Sequence, residues 1–391
     1  MPETSVAASA QRVPYSRIRE LAEIAMTMDG VLKLYFGESN LPTPQFIKAA
    51  AAQALEDGHT FYTENAGYPS LRRAIAEKYR QLHGISLDSS SEIVVTASGV
   101  QAINVGIRCV LDPGDEAIVL TPAWPNASSN IAMSSAVARE IPLHLEGNRY
   151  RVDFPAIEAA IQPRTRLLVY TSPSNPTGWV ASGEDQVRLL DLCGRRGLWL
   201  MADEVYERLY YSGPVAPSIL RLCGREDAVL VPQSFSKSYC MTGWRLGWLV
   251  ARRDLARKAT ELNEFIVSHA PAMVQKAGEI ALRDGEAGVE EMVGRLRANR
   301  DLALAALSQM KGVTVPCPDG AFYLFPRLDG LSDSFDFCRR LLMEKKVGLA
   351  PGVAFGAGGE GSIRICYAAE REVLEPALER LGQFLMAGEA G

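Results

Sequence analysis

Residues 233–247, with the sequence QSFSKSYCMTGWRLG, contain one lysine, several hydroxyl groups, one arginine and two glycines. The side chains around Lys237 are apolar or aromatic instead of charged: Phe235, Tyr239, Met241 and Trp244. Burial among such groups lowers the pKa of an amine and makes it nucleophilic, while the hydroxyl groups and Arg245 are donors suited to a phosphate. A Schiff-base lysine beside phosphate donors predicts a site that anchors pyridoxal phosphate (PLP). The alternative is an ordinary solvated surface lysine.

The composition favours small-molecule chemistry in a globular protein. The chain has 391 residues, is 47% hydrophobic and 22% charged, and its mean hydropathy is −0.01, which predicts one large or two moderate domains. A formal net charge of −5 gives no basic surface for nucleic acid and no polybasic patch for anionic lipid. The sequence has no membrane-length apolar stretch and no apolar signal-peptide core at its start, so we expect a cytoplasmic protein without membrane partners.

The cysteines and histidines give no indication of a metal site. The 7 cysteines are scattered and never form a CxxC pair, which is the usage expected of reduced thiols in a cytosolic core. The 4 histidines have no metal-ligand spacing with each other or with the cysteines. We therefore predict no metal.

Apolar runs bounded by proline, glycine and aspartate alternate with segments of helical periodicity. Six runs have the length and composition of buried parallel strands: 92–96, 116–120, 167–171, 198–202, 229–231 and 246–250. Two intervening segments, 99–110 and 185–197, repeat apolar residues at the spacing of crossover helices. The alternation predicts an α/β fold in which helices cover both faces of a sheet.

The pattern changes after Arg252, which predicts a second, smaller α+β domain. Long helices are expected over 255–267 and 274–310, followed by short strands near 313–316, 321–325 and 362–367. We divide the chain into an N-terminal arm with part of the small domain (1–45), a large PLP-binding domain (46–275) and a small C-terminal domain (276–391). The first dozen residues and residues 386–391 are expected to be loose.

Ligands of open parallel sheets bind beyond the carboxyl ends of the strands, so residues that follow the predicted strands are candidates for a site. Residues 172–178 (SPSNPTG) place the amide of Asn175 between two prolines, although most such clusters are surface turns. Asp203 closes a strand and Tyr206 follows it. A carboxylate there either caps the next helix or pairs with the pyridine nitrogen of PLP, while Asn175 and Tyr206 hydrogen-bond the ring oxygen.

Two further strand ends carry candidate groups. Residues 96–102 (TASGVQA) pass from a strand into a helix, where free backbone N–H groups can receive a phosphate. Trp124 follows another strand and can stack on a planar ring, although a core position is the usual one for tryptophan. Each signal is common when it stands alone.

Taken together and in order, these motifs show that the chain resembles fold-type I PLP enzymes, specifically the class I/II aminotransferases that include aspartate, alanine and aromatic aminotransferases. The resemblance runs nearly end to end. It rests on residues 36–38 (FGE), Tyr62, 67–72 (GYPSLR), 98–99 (SG), Trp124, 175–178 (NPTG), 203–206 (DEVY), 234–245 (SFSKSYCMTGWR), 320–323 (GAFY) and 363–365 (IRI). It implies a large domain with a mostly parallel seven-stranded sheet between helices, and a smaller α+β domain.

The resemblance also implies roles for individual residues. Lys237 would form the Schiff base (aldimine) with PLP and carry the proton, and Asp203 would meet the pyridine nitrogen. Arg364 would bind the substrate α-carboxylate, with help from Asn175 and the backbone of Gly37. The remaining cofactor contacts would come from Ser98, Gly99, Val100, Trp124, Asn175, Tyr206, Ser234, Ser236 and Arg245, and from Tyr62 of a second subunit. The implied reaction is ping-pong transfer of an amino group from an L-amino acid to a 2-oxo acid.

The sequence departs from the family pattern on the substrate side. Val100 stands where many relatives have lysine, and Ala123 replaces a common tyrosine. An arginine for a distal substrate carboxylate is not identified by motif, and Arg17, Arg19 and Arg149 are the candidates. Residues 356–361 (GAGGEG) match GxGxxG, but they precede a predicted strand instead of opening a helix, so we interpret them as a mobile loop that delivers the following arginine.

Two other functions stay open at this point. A PLP lyase or cyclase uses the same early chemistry and then eliminates a β or γ leaving group. A PLP-sensing transcription regulator needs a DNA-binding segment, and about 30 residues before the first family match are too few for one. The expected partners are an amino acid, a 2-oxo acid and a second copy of the chain, because Tyr62 serves the opposite site in relatives.

Overall fold

The computed structural model describes residues 5–388. Residues 1–4 and 389–391, which belong to the two terminal segments expected to be loose, lie outside the described residues. The helices are α1 (Ala8–Gln11), α2 (Arg17–Met26), α3 (Gln45–Glu56), α4 (Pro69–His83), α5 (Gly99–Val110), α6 (Asn126–Met133), α7 (Phe154–Ala160), α8 (Gly183–Arg196), α9 (Arg253–Ile266), α10 (Ala272–Asp284), α11 (Glu286–Ser308), α12 (Ser334–Lys345) and α13 (Arg371–Met386). Within residues 5–388, no helix is both long and apolar enough to cross a bilayer.

The strands form one large sheet and several small ones. They are β1 (Leu32–Lys33), β2 (Ile93–Thr96), β3 (Glu116–Thr121), β4 (Val137–Pro142), β5 (His144–Glu146), β6 (Arg149–Arg151), β7 (Thr165–Thr171), β8 (Trp199–Asp203), β9 (Val229–Ser234), β10 (Gly247–Ala251), β11 (Val313–Thr314), β12 (Tyr323–Leu324), β13 (Arg327–Leu328), β14 (Val347–Gly348), β15 (Ala350–Pro351) and β16 (Ile363–Cys366). The large sheet is seven-stranded, with the order β2-β10-β9-β8-β7-β3-β4.

The direction of β10 corrects the sequence prediction. All six predicted strands were expected to be parallel, but β10 pairs antiparallel with both β2 and β9, while the other neighbours in the large sheet are parallel. A fully buried apolar run has the same composition in either direction, so periodicity does not distinguish them. The antiparallel direction brings the start of β10 to the sheet edge at which the parallel strands end.

Alternate residues of each strand face opposite layers of helices. On β3, Ile118 and Leu120 belong to a core shared with α4, α8 and α10, whereas Ala117 and Val119 belong to a core shared with α5, α6 and α9. Successive side chains of a strand point to opposite faces, so a strand buried on both sides is a continuous apolar run. This is the helix–sheet–helix sandwich predicted from the sequence.

Two elements differ from their sequence predictions. Strand β4 was not predicted, because charged residues interrupt its sequence VAREIP, which is typical of a partly exposed edge strand. The single helix predicted over 274–310 is two helices, α10 and α11, that meet at Gly285. A side chain at Gly285 would collide with the carbonyl oxygen of Ala281 and lie 2.9 Å from the ring of Tyr239, so the chain turns there without one.

The N-terminal segment packs with the C-terminal part of the chain. Strand β1 pairs in parallel with β14, and α2 contacts β14, β15 and α12. A separate hydrophobic core joins α11, α12 and α13 to the small sheet β12-β16-β15. The domain boundaries after residues 45 and 275 stay predictions. Residue 275 lies within α10, which packs against α3 and α4.

Candidate active site

A cavity of about 490 Å³ opens at the carboxyl edge of the large sheet. Thr171, Asp203 and Ser234 are the last residues of β7, β8 and β9, and all three line it. Because β10 is antiparallel, its first residue Gly247 lies in register between Thr96 of β2 and Ser234 of β9. Parallel strands and one reversed strand therefore deliver their flanking loops to the same place.

Most of the residues named from the sequence line this cavity. They are Gly37, Gly99, Val100, Trp124, Asn175, Asp203, Tyr206, Ser234, Ser236, Lys237, Arg245 and Arg364. Ser98 stands one residue outside this lining, where it is the N-cap of α5 and its hydroxyl accepts from the N–H of Gln101. Tyr62 does not reach the cavity of its own chain. Its side chain is 90% exposed and its ring contacts that of His269 edge-on, with centroids 5.6 Å apart.

Lys237 has its amine at the cavity without an acidic partner. The Nζ donates a hydrogen bond to the carbonyl oxygen of Gly37 and lies 5.5 Å and 5.7 Å from the ring centroids of Tyr206 and Phe322. Among residues 5–388, no carboxylate forms an ion pair with it. Burial lowers the pKa of Lys237 to about 8, so a neutral, nucleophilic amine is accessible near physiological pH.

Asp203 is the acidic counterpart on the cavity wall. Burial raises the pKa of Asp203 to about 7, against the lowering effects of the Val205 N–H and of Lys237. The Oδ1 atom accepts from that N–H at 3.3 Å. The chain continues into turns, and the next helical segment begins only at Ile219, so Asp203 does not cap a helix. A carboxylate with a raised pKa and no cation bonded to it is suited to receive a proton or a cationic N–H.

Donors for an anion gather beside the lysine. Ser234 and Ser236 are buried, with hydroxyl oxygens 2.9 Å apart, and the N–H of Ser236 donates to the Oγ of Ser234 at 3.1 Å. Arg245 is held in a left-handed backbone conformation with φ +54°, and its Nη1 donates to the carbonyl oxygen of Thr242 at 2.6 Å. Helix α5 begins at Gly99, and the N–H groups of a first helical turn attract anions.

Arg364 is the most buried cation of the site, with none of its surface exposed. Its Nη1 donates to the Oδ1 of Asn175 at 2.9 Å, its Nη2 donates to the carbonyl oxygen of Tyr35, and its Nε has no partner within the described chain. The rings of Tyr323 and Phe355 lie 4.6 Å and 4.9 Å from its Cζ. A guanidinium whose plane is fixed by two rings, and which has one unpaired N–H donor, is suited to bind a carboxylate.

Asn175, Trp124 and Tyr206 form the rest of the wall around Arg364 and Lys237. The carbonyl oxygen of Asn175 accepts from the N–H of Trp124 at 2.9 Å. Because its Oδ1 accepts from Arg364, Asn175 has its Nδ2 left to donate elsewhere. The hydroxyl groups of Tyr206 and Tyr323 share a hydrogen bond of 2.7 Å.

Sequence reasoning missed several lining residues. They are Ser16, Ile18, Tyr35, Ile103, Asn126, Thr171 and Val205. Ser16 and Ile18 come from the N-cap and first turn of α2, and their distance along the chain from the other motifs left no signal. Of the three arginines considered for a distal carboxylate, Arg19 lines the cavity. Arg17 pairs with Glu20 at 3.0 Å, and Arg149 lies on β6.

The glycine-rich residues 356–361 follow a short 3-10 helix (Gly352–Phe355) and lead into β16, which contains Arg364. They open no helix, which agrees with the sequence interpretation and excludes the helix start that a dinucleotide site requires. The mobility of this loop stays a prediction.

Comparisons with known proteins agree with this geometry. The family model described as aminotransferase class I and II matches residues 30–381. An aromatic-amino-acid aminotransferase 2 of Thermococcus litoralis is 35% identical over 374 residues, covering 95% of each chain, and an aspartate aminotransferase of Pyrococcus horikoshii is 35% identical, covering 95% of this chain and 94% of that one. The crystal structure of an aspartate aminotransferase of Thermotoga maritima superposes with a TM-score of 0.91 at 31% identity, covering 97% of this chain and 100% of that one. The chain belongs to the class I and II aminotransferase family.

Proposed function

We propose that this aminotransferase uses PLP, with Lys237 as its covalent anchor. The observation that carries the proposal is the presence of two groups in one cavity: the Lys237 amine, which forms no ion pair within residues 5–388, and the carboxylate of Asp203, to which no cation of the same residues is bonded. A pyridine nitrogen and an aldehyde on one ring would satisfy both. The donors of Ser234, Ser236 and Arg245 add the place for a phosphate, so the residues present fit PLP.

When bound, PLP supplies an electron sink for the negative charge that develops at the substrate α-carbon. Asp203 would hold the proton of the pyridine nitrogen, and the Nδ2 of Asn175 and the hydroxyl of Tyr206 would donate to the ring oxygen. Trp124 would stack on the ring. The phosphate would be held by the backbone of Ser98, Gly99 and Val100, the hydroxyl groups of Ser234 and Ser236, and Arg245.

Arg364 and Lys237 would divide the work on the substrate. Arg364, with Asn175 and the backbone of Gly37, fixes the plane of the α-carboxylate and so orients the Cα–H bond. The Nζ of Lys237 would take the proton from the substrate α-carbon and would donate it to the carbon of the cofactor that carried the aldehyde. Because burial lowers the pKa of this amine to about 8, it holds and releases a proton at little cost near neutral pH.

The same groups serve a second 2-oxo acid in the reverse direction, which is a ping-pong transfer. The lyase or cyclase alternative is not favoured, because the relatives compared above are named as aminotransferases.

The experiment that tests the proposal is a visible absorption spectrum of purified protein with PLP, before and after single additions of amino acids without any 2-oxo acid. Conversion of the PLP band to the pyridoxamine phosphate band is the expected result. Release of ammonia or a thiol, with the PLP band unchanged after turnover, would favour elimination. Absence of a PLP band at any protein concentration would contradict the cofactor proposal itself.

The substrate side of the cavity contains both apolar and cationic groups. Val100 and Trp124 line it together with Arg19, whose guanidinium lies 5.3 Å from the ring centroid of Phe36 and forms no ion pair within the described chain. We propose that Arg19 meets a side-chain carboxylate of an acidic substrate. The Arg19→Gln variant should then lose transfer from aspartate by about tenfold while keeping transfer from phenylalanine. Equal losses for both amino acids would contradict this role.

We also propose a homodimer in which Tyr62 enters the partner's cavity. The support is a group of exposed aromatic side chains: Phe61 at 80%, Tyr62 at 90% and Phe265 at 88% exposure. Aromatic side chains are enriched in protein–protein interfaces. Light scattering should give twice the chain mass, and Tyr62→Phe should release PLP more readily in dialysis. Unchanged retention of PLP in this variant would count against a shared site.

A further inference from the structure

Tyr323 connects the two halves of the site without lining the cavity. It lies on β12 with no exposed surface, and the pairing of β12 with β16 brings it beside the strand that holds Arg364. Its hydroxyl hydrogen-bonds that of Tyr206 at 2.7 Å, while its ring lies 4.6 Å from the Cζ of Arg364. It also packs against Gly37, where a Cβ would collide with its hydroxyl oxygen.

We propose, on the basis of the proposed function, that Tyr323 is a positioning residue with two separable actions: its hydroxyl orients the hydroxyl proton of Tyr206 toward the cofactor, and its ring holds Arg364 for the substrate carboxylate. The hydroxyl and the ring act on different groups. Removing the hydroxyl alone should therefore change the protonation of the bound cofactor. Removing the hydroxyl and the ring together should also weaken carboxylate binding.

The first action follows from counting protons. Each tyrosine hydroxyl has one proton to donate, and either can be the donor in the Tyr206–Tyr323 bond. Once Tyr206 donates to the ring oxygen of the cofactor, it has only its lone pairs for Tyr323, so Tyr323 must donate. A hydrogen bond accepted by a hydroxyl strengthens the one it donates, so Tyr323 makes Tyr206 a stronger donor.

The second action follows from the packing of Arg364. Its guanidinium is covered by two rings, Tyr323 and Phe355, and it donates to Asn175 and Tyr35. An aromatic face attracts a desolvated guanidinium and fixes its plane. The carbonyl oxygen of Gly37, which accepts from Lys237, belongs to the backbone against which Tyr323 packs. Tyr323 thus contacts the surroundings of Arg364, Tyr206 and Lys237 at once.

Burial keeps the phenols of Tyr206 and Tyr323 neutral among the charged and titratable groups that surround them. Tyr206 and Tyr323 face each other, Arg364 and Cys366 of β16, and, on the side of Tyr206, Asp203 and the Lys237 amine. Burial raises the pKa of both phenols well above the usual range, although the bond to Tyr323 and the charge of Arg364 oppose this at Tyr206. Both hydroxyls therefore keep their protons near neutral pH.

The molecule contains a matched control for a tyrosine pair with a structural role only. Tyr211 and Tyr367 are also buried, their hydroxyls are 2.9 Å apart, and both hydroxyls approach the carbonyl oxygen of Ala321. Neither lines the cavity. Tyr367→Phe removes one buried hydroxyl from the same small-domain core and leaves the site untouched.

The test compares Tyr323→Phe, Tyr323→Leu and Tyr367→Phe as PLP-loaded enzymes. The first readout is the pH midpoint of the PLP visible absorbance. A donor to the ring oxygen stabilises its anion and favours loss of the proton shared with the lysine nitrogen, so Tyr323→Phe should raise the midpoint by about half a pH unit. The second readout is the Kd of maleate and of 3-phenylpropionate, two carboxylates without an amino or oxo group. Tyr323→Phe should leave both within twofold, and Tyr323→Leu should weaken at least one about fivefold.

Each of the two actions of Tyr323 has a result that would overturn it. A midpoint in Tyr323→Phe equal to that of wild type and Tyr367→Phe would overturn the hydroxyl action, and unchanged carboxylate affinity in a folded Tyr323→Leu would overturn the ring action. If Tyr323→Leu does not fold, Tyr323→Met, which fills the space without a ring or a hydroxyl, replaces it. Its midpoint should shift as in Tyr323→Phe, and carboxylate affinities equal to those of wild type would overturn the ring action. A wild-type protein with no PLP band would overturn the proposed function, and this inference with it.

Discussion

Two lysines in this chain, the buried Lys78 and the half-buried Lys237, have opposite surroundings. Lys78 of α4 lies against the rings of Trp248 and Tyr79, with centroids 4.7 Å and 5.8 Å from its Nζ, and forms an ion pair with the buried Glu207. Lys237 also lies near two rings, but it faces a cavity and, within the described part of the chain, donates only to a backbone carbonyl. Both amines lie near aromatic rings, but within the described chain only Lys78 pairs with a carboxylate.

Burial alone does not make a lysine reactive. The carboxylate of Glu207 also meets the Nε2 of His83 at 3.0 Å. Although burial opposes ionisation, Lys78 and His83 together hold the pKa of Glu207 well below its usual range. Burial lowers the pKa of Lys78 as well, but the charge of Glu207 opposes this lowering, and the pair keeps the Lys78 amine protonated and unreactive. Lys237 has no ion-pair partner within residues 5–388, and burial lowers its pKa to about 8.

The largest expected effect is on the rate of amino transfer, which should depend on Lys237 and not on Lys78. Lys237→Ala should lower the rate of amino transfer by about 10²–10⁴-fold, because the anchor and the proton carrier are lost together. Lys78→Met should keep the rate per folded molecule within about threefold, since Lys78 does not line the cavity. Single-turnover absorbance measurements with PLP-loaded enzyme check both variants. Comparable losses of rate in the two variants would contradict the proposed difference in function between Lys237 and Lys78.

The next effect separates them by stability. Lys78→Met breaks the buried ion pair and leaves Glu207 with the His83 ring as its partner, which should lower the free energy of unfolding by about 3–5 kcal/mol. The double variant Lys78→Met with Glu207→Gln should lose less than the sum of the single variants. Urea unfolding of the cofactor-free proteins measures these values. Strict additivity would show that the pair does not act as a unit.

A pH dependence tests the unpartnered carboxylate opposite Lys237. The folded pKa of Asp203, about 7, is raised above its unfolded value, so the folded state binds this proton more tightly. Its contribution to stability is full below about pH 4 and is lost as pH rises through 7. Without PLP, wild type should therefore lose about 2 kcal/mol more stability than Asp203→Asn between pH 5 and pH 8. Urea unfolding across this range measures the difference, and parallel curves would contradict it.

The smallest expected effect on the free energy of unfolding concerns two acids, Glu204 and Glu207. Glu204 is buried near Glu207, but one of its oxygens has no partner in the described chain, and burial followed by repulsion from Glu207 raises its pKa to about 8. Because Glu204 is then protonated at pH 7, Glu204→Gln should change the free energy of unfolding by less than about 1 kcal/mol. Glu207→Gln should cost several times as much. Similar costs would show that Glu204 is ionised.

Much of the fold was predicted from local patterns. The strand runs that became β2, β3, β7, β8 and β9 are apolar on both faces because helices cover both sides of the sheet. The direction of β10, the edge strand β4 and the helix break at Gly285 were not predicted, because each depends on a distant contact. Gly285, for example, is required by the approach of Tyr239, which lies far away in the sequence.

The candidate site was predictable where residues follow a strand end. Asn175, Asp203, Ser234 and Lys237 belong to such segments, and the structure brings them to one cavity. Ser16 and Ile18 on α2, and the contacts of Tyr323 with both Tyr206 and Arg364, were not predictable. These depend on how the N-terminal segment and the small sheet pack, and no local pattern records that packing.

The available chemistry is visible in the local sequence: a lysine among aromatic residues, phosphate donors beside it, and carboxylate, amide and guanidinium groups at the ends of apolar strands. These are local properties, since side-chain chemistry and strand periodicity are read over a few residues. The tertiary fold is needed to see that Lys78 has an acidic partner and that Lys237 has none within residues 5–388. Charge pairing depends on distances between residues far apart in the chain, and burial makes those distances decisive for each pKa.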